Sequence, residues 1–162
     1  MKFVISRKKT IISMLIVMLL CLVGCSHVLV KLDDQMGAVN NDCKVVVIDK
    51  RPTDKIIFHK YVLEQTPSLP VILKSKICNL NKIIKQSDHG SQITIIIDNT
   101  TGKDVVGIAN VILTMDISGT IKYNNSMQDI RTFTSIEGAF IGPKDLMVKA
   151  IDDFVLKVDK NL

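Results

Sequence analysis

A chain of 162 residues has room for one domain of ordinary size, and 47% apolar with 23% charged residues excludes a disordered or collagen-like polymer. The formal charge of +5 suggests a basic protein, yet Lys2, Arg7, Lys8 and Lys9 lie in the first 24 residues with no acid beside them, and without them 17 basic residues face 16 acidic ones, a net of +1. With no Trp and 4% aromatics, that near-neutrality excludes a nucleic-acid partner gripped by a basic stripe or a base-stacking platform.

Residues 1–24 form three zones: a basic start, the 13-residue apolar run IISMLIVMLLCLV at 11–23, and Gly24 before Cys25. Thirteen helical residues reach only ~20 Å, short of the ~30 Å hydrocarbon core. The run therefore suits a cleaved signal better than a spanning helix. Leu22-Val23-Gly24-Cys25 resembles the bacterial lipobox, whose cysteine becomes residue one of the processed chain and carries acyl chains such as palmitate. Each buried CH₂ contributes ~0.8 kcal/mol, so two or three chains on Cys25 would hold the domain on a membrane. Ser26 stands where such families place Asp for inner-membrane retention, which implies an outer-membrane anchor with the domain in the periplasm.

Residues 27–42 (HVLVKLDDQMGAVNND) show no sustained period and read as a mobile tether. Residues 43–49 (CKVVVID) read as a buried strand, and 56–64 (IIFHKYVLE) as a less regular, edge-like one. Ser68 and Pro70 open a helix over 69–86. Leu69, Leu73, Ile77, Leu80 and Ile84 mark its apolar stripe, and Ser87-Asp88-His89-Gly90 stops it. Residues 92–98 (QITIIID) form another buried strand before a turn at Asn99-Thr100-Thr101-Gly102. Residues 108–117 alternate, with Ala109, Val111, Leu113, Met115 and Ile117 inward. Ser118-Gly119 reads as a hairpin turn into a strand over 120–136, bulged at Asn124-Asn125-Ser126. Gly142-Pro143 begins the last helix. Its buried side is Leu146, Met147, Ala150, Ile151, Phe154, Val155 and Val158, with Asp145–Lys149 and Asp153–Lys157 as i,i+4 pairs.

The order is β-β-α-β-β-β-α. Two helices with one apolar stripe each want one sheet to cover, which predicts an α+β two-layer sandwich, a mainly antiparallel sheet with both helices on one face. The chain thus divides into a signal peptide (1–24), a tether (25–42) and a single α+β domain (43–162). Cys43 and Cys78 remain once Cys21 and Cys25 are set aside, and two thiols in an oxidising compartment tend to pair. Against this, Cys78 lies opposite the stripe of its helix while Cys43 begins a strand beneath it. A bridge would require the leading segment to wrap outside the helix.

A catalytic set is not legible. His27, His59 and His89 belong to no HxxxH, HExxH or HxH pattern, and GxSxG, P-loop and GxGxxG motifs are absent from the sequence. No metal or other cofactor is expected, because two thiols without a His pair do not make a zinc site. Asp49 and Arg51 flank a strand end as an ion pair or a recognition loop. Glu137, Gly138 and Phe140 stand at a strand-to-helix corner that could meet a partner or, at the helix start, an anion.

The strand 45–48 leaving through Asp49, Arg51 and Pro52, the middle amphipathic helix and the closing Phe133-Thr134-Ser135-Ile136-Glu137-Gly138-Ala139-Phe140 together resemble the YajG-type family of small bacterial envelope lipoproteins. The resemblance covers roughly residues 43–160. It implies an α/β lipoprotein and transfers no active site. The expectation is a non-enzymatic accessory or scaffold component of an envelope assembly, held by the membrane through Cys25 and binding an envelope protein. The alternative is a small-ligand or lipid-binding module with its pocket between helices and sheet.

Overall fold

The computed structural model describes residues 26–37, 43–80, 83, 92–107 and 110–162. The leader, the lipobox with Cys25, and Ile84, His89, Ile108 and Ala109 lie outside the described residues. The fold is the expected α+β sandwich. Its strands are β1 (Ser26–Lys31), β2 (Val45–Asp49), β3 (Ile56–Ile57), β4 (Tyr61–Thr66), β5 (Ile93–Val106), β6 (Val111–Tyr123) and β7 (Ser126–Gly138). The helices are α1 (Leu69–Cys78) and α2 (Pro143–Asn161). The main sheet runs β2-β5-β6-β7 and a smaller one β1-β4-β3.

The main sheet is antiparallel from β5 to β7, while β2 joins β5 in parallel. Two long hairpins make it, and neither turns where the sequence reading put a turn. Asn99 to Gly102 continue β5 beyond a bulge, where the register steps between Ile97 and Asn99. Gly102 has a structural reason to lack a side chain: a Cβ there would stand 2.3 Å from the Phe58 ring. Phe58 in turn stacks on Tyr61, ring centroids 4.6 Å apart. Ser118-Gly119 likewise stay within β6. The reversal comes at Asn124 and Asn125, whose φ values of 47° and 64° form the left-handed two-residue turn that Asn tolerates.

Gly119 serves a close approach instead of a turn. A Cβ on it would lie 2.2 Å from the Ile96 carbonyl oxygen, and backbone cannot swing aside as a side chain does. Gly119→Ala is therefore expected to lower stability by about 1–3 kcal/mol through overpacking. A urea midpoint matching that of the unaltered chain would contradict this close approach.

The segment expected as a tether is part of the fold. Val28, Val30 and Leu32 alternate inward, and β1 pairs in parallel with β4 from Ser26↔Tyr61 to Lys31↔Thr66. Leu32 is wholly buried. Beyond it, Ser75 Oγ donates to the Gly37 carbonyl at 3.0 Å and Lys144 pairs with Asp34 at 2.9 Å, so residues 32–37 lie against both helices. The described part of the domain thus includes residues 26–37 and is not confined to residues from Cys43 onward. Exposed Leu29 interrupts an otherwise binary alternation, and the partner strand lies far along the chain. The edge-like strand over 56–64 is split into β3 and β4, with β4 central in the small sheet.

The helix α1 ends at Cys78, short of the expected 86, with Leu80 half-buried beyond it; of the expected stripe it buries Leu69, Leu73 and Ile77, but also Ile72, Ser75 and Cys78. It is covered on two sides, leaving Val71, Lys74 and Asn79 outward. Cys78 is bonded to Cys43. The geometry that the bridge required is the one found, with the leading segment passing over the Ser75 side of the helix. The helix α2 buries all seven predicted residues. Its charges serve other partners than the expected i,i+4 pairs. Asp145 accepts the Gly142 N–H, Lys149 donates to the Ser135 carbonyl, and Asp153 accepts from Thr134 Oγ1 at 2.7 Å.

Candidate functional site

The helix–sheet interface is apolar among the described residues. Ile95, Ile97, Met115 and Ile117 meet Leu146, Met147, Ile151 and Phe154, all completely or nearly completely buried. Surface hollows lie elsewhere. One of about 430 Å³ sits at the β6–β7 turn, between Thr94, Lys122 and Met127. Another of about 350 Å³ opens over Gly119, walled by Asp98, Asp129 and Arg131.

The second hollow belongs to the sheet face turned away from the helices. Alternation puts Met127, Asp129, Arg131 and Phe133 of β7 on that face, because Ile130 and Thr134 are buried on the other. Thr120 Oγ1 lies 3.0 Å from Asp129 Oδ1 and 3.3 Å from Asp98 Oδ2, and can donate to one at a time. Arg131 forks onto Asp116 through Nε and Nη2, which holds its guanidinium in the charged form. Phe133 is 68% exposed and Met127 66%, with Val46 and Ile48 exposed on the opposite edge strand. Apolar side chains and paired charges mix here as in a binding face.

The expected partner residues separate. Asp49 shares a row with Ile97, Gly119 and Ile130, at the middle of β7, whereas Glu137 and Gly138 end that strand. The Asp49–Arg51 pair braces the end of β2, with its carboxylate at the surface. Arg51 Nη2 reaches Asp49 Oδ2 at 2.6 Å, Nε reaches Oδ1 at 2.8 Å, and Nη1 donates to Thr100 Oγ1 at 3.1 Å. Only 1% of the Arg51 side chain is exposed. Its hydrogen bond, foremost, holds the Asp49 carboxyl below the usual carboxylate range against the opposing effect of burial.

The corner at 137–142 does face solvent. Glu137 accepts from Asn110 at 3.1 Å, and Phe140 is fully exposed. Asp145 takes the Gly142 N–H at 2.8 Å, occupying a donor that an anion at the helix start would need. His59 lies exposed, its backbone N–H on Asp104, and His27 stands 3.5 Å from Glu64. Burial, with the Asp104 charge, pushes the Tyr61 hydroxyl up to about 12. Among the described residues no three His, Cys, Asp or Glu gather as metal ligands, and no helix is long and apolar enough to cross a membrane.

No family model matches the chain, and no curated protein matches it. It is similar to a solved structure described only as that of an uncharacterized protein, 13% identical over 83% of this chain and 85% of that one. The TM-score is 0.31, too low to bear on fold or role. The outer row of β7 escaped the sequence reading. Its signal is the alternation of exposed Asp129, Arg131 and Phe133 with buried Ile130 and half-buried Thr132, hidden when the strand is started before the Asn124-Asn125 turn.

Proposed function

We propose that this protein is an outer-membrane-anchored periplasmic lipoprotein that acts by binding, as a non-catalytic accessory or scaffold component of an envelope assembly. The observation that carries this reading is Leu22-Val23-Gly24-Cys25 at the end of a basic start and a 13-residue apolar run. Ser26 after the cysteine favours the outer membrane, and the resemblance to YajG-type lipoproteins points the same way. The Cys43–Cys78 bridge suits an oxidising compartment. Since Ser26 already lies in β1, acyl chains on Cys25 would leave no spacer between bilayer and fold, and the domain would rest on the lipid. The face that carries Phe133 and Met127 then offers a surface for an envelope protein.

Cys25→Ser is expected to abolish palmitate labelling and to leave the precursor at its unprocessed mass. Labelling that persists in the variant overturns the lipobox reading. Recovery of the unaltered, palmitate-labelled protein in an inner-membrane fraction overturns the outer-membrane assignment alone.

A further inference from the structure

The edge of the main sheet formed by β7 is long and lightly defended, and its hydrogen-bonding groups can be located. Tyr123 and Ser126 close a two-residue hairpin, so they form a hydrogen-bonded pair. Alternation along the ladder then turns the N–H and C=O groups of even-numbered β7 residues toward β6. Those of the odd-numbered residues, 127 to 137, point off the sheet. Lys149 confirms the parity, because its ammonium finds the odd-numbered Ser135 carbonyl at 3.1 Å from beside the edge. That contact covers one end. From Met127 to Phe133 no backbone partner beyond β6 is found among the described residues. Exposed edges of this length usually carry a covering element, a Pro or charged side chains; among the described residues this stretch has only the charges of Asp129 and Arg131.

We propose that the edge is closed by β7 of a second copy, antiparallel about a two-fold axis at Ile130, giving one continuous eight-stranded sheet. The register follows from the side chains on the outer face. With the axis at Ile130, Asp129 of each copy stands opposite Arg131 of the other, and Met127 opposite Phe133. Each Asp129 then meets an Arg131 beside the Asp116 that this Arg131 already holds, twice over, and the two most exposed apolar side chains of the strand cover each other. Moving the axis by one residue sets Asp129 against Asp129 or Arg131 against Arg131. Moving it to Thr132 sets Met127 against Glu137. Moving it to Thr134 leaves Met127 and Asp129 unpaired and needs the Ser135 carbonyl that Lys149 already holds.

A second feature lies under the seam. Leu156 follows Lys149 by two helical turns, so it faces the same open edge, and it is 55% exposed in an otherwise well-sorted helix. Thr134 is tied to Asp153 and Gln128 to Asn161, which places Leu156 beneath the strand between those residues, close to the axis. Two copies would bring their α2 helices side by side with Leu156 between them.

The test uses full-length chains bearing two different C-terminal tags, co-expressed and solubilised in mild detergent. Arg131→Asp alone and Asp129→Arg alone each place like charges opposite each other twice, and each is expected to lose tag-to-tag co-purification. Co-expression of the two variants with each other restores both pairs and is expected to restore it. Loss that is not restored, or no loss at all, overturns the register. Separately, Met127→Cys chains co-expressed with Phe133→Cys chains are expected to give an oxidised dimer that neither variant gives alone. A dimer from Phe133→Cys alone, a bond to a different protein, or accessible thiols with no product would each overturn the proposal. The outcome does not depend on acylation at Cys25.

Discussion

Replacing Cys43 and Cys78 together with Ala is expected to lower the stability of the fold by about 4 kcal/mol. The bridge joins residues 35 apart in sequence, and closing a loop of that length removes roughly this much free energy from the unfolded chain's favour. At a urea slope of about 2 kcal/mol/M the midpoint should fall by about 2 M. The loop it closes contains β2, β3, β4 and the whole of α1, so the cross-link spans most of the small sheet and one layer of the sandwich. Cys78 is buried, which adds the loss of its packing to the loss of the constraint. A reductant applied to the unaltered chain should move the midpoint in the same direction and nearly as far. If neither change shifts the midpoint by more than about 0.5 M, the bridge contributes no net constraint and the fold stands on its core.

The bridge also shows where sequence reading ran out. Periodicity located the buried stripe of α1 and all seven inward residues of α2, because one apolar face at 3.6-residue spacing is a local signal. It also located the β5–β6–β7–α2 half of the molecule in the right order. Periodicity does not report a second covering layer. Ser75 and Cys78 are polar or small, so nothing in α1 announces that residues 32–37 lie over them. The small sheet is non-local as well. Its strand β1 pairs with residues that follow two other strands, and Leu29 on the outward side weakens its alternation. The displaced turns have one cause. Asn-Thr-Thr-Gly and Ser-Gly carry turn residues, but Phe58 over Gly102 and the Ile96 carbonyl against Gly119 give those glycines work within strands. Of the candidate site, the Asp49–Arg51 pair and the exposed corner at Phe140 were legible as residues, whereas the choice between brace and surface depended on burial that only the tertiary structure supplies.

Asp49→Ala is expected to cost about 1–2 kcal/mol. This lies between the cost of breaking a surface pair and that of breaking a buried one, because Asp49 is exposed, with 27% of its side chain in solvent, while Arg51 keeps almost none. The variant removes the carboxylate to which Nε and Nη2 donate and leaves Thr100 as the hydroxyl partner of Nη1. Removing the guanidinium charge as well should recover much of the loss, so Asp49→Ala with Arg51→Met is expected to be more stable than Asp49→Ala alone. Acid should act as the single variant does. Asp49's carboxyl is held below its ordinary value in the folded chain, so its contribution is complete above the unfolded value near 4 and is lost as pH falls through the lower folded one. Urea midpoints measured from pH 7 down to pH 2 should therefore drop less steeply in Asp49→Ala than in the unaltered chain. Parallel curves for the two proteins, or a double variant weaker than the single one, would mean that the fork on Thr100 and Asp49 does not brace the end of β2.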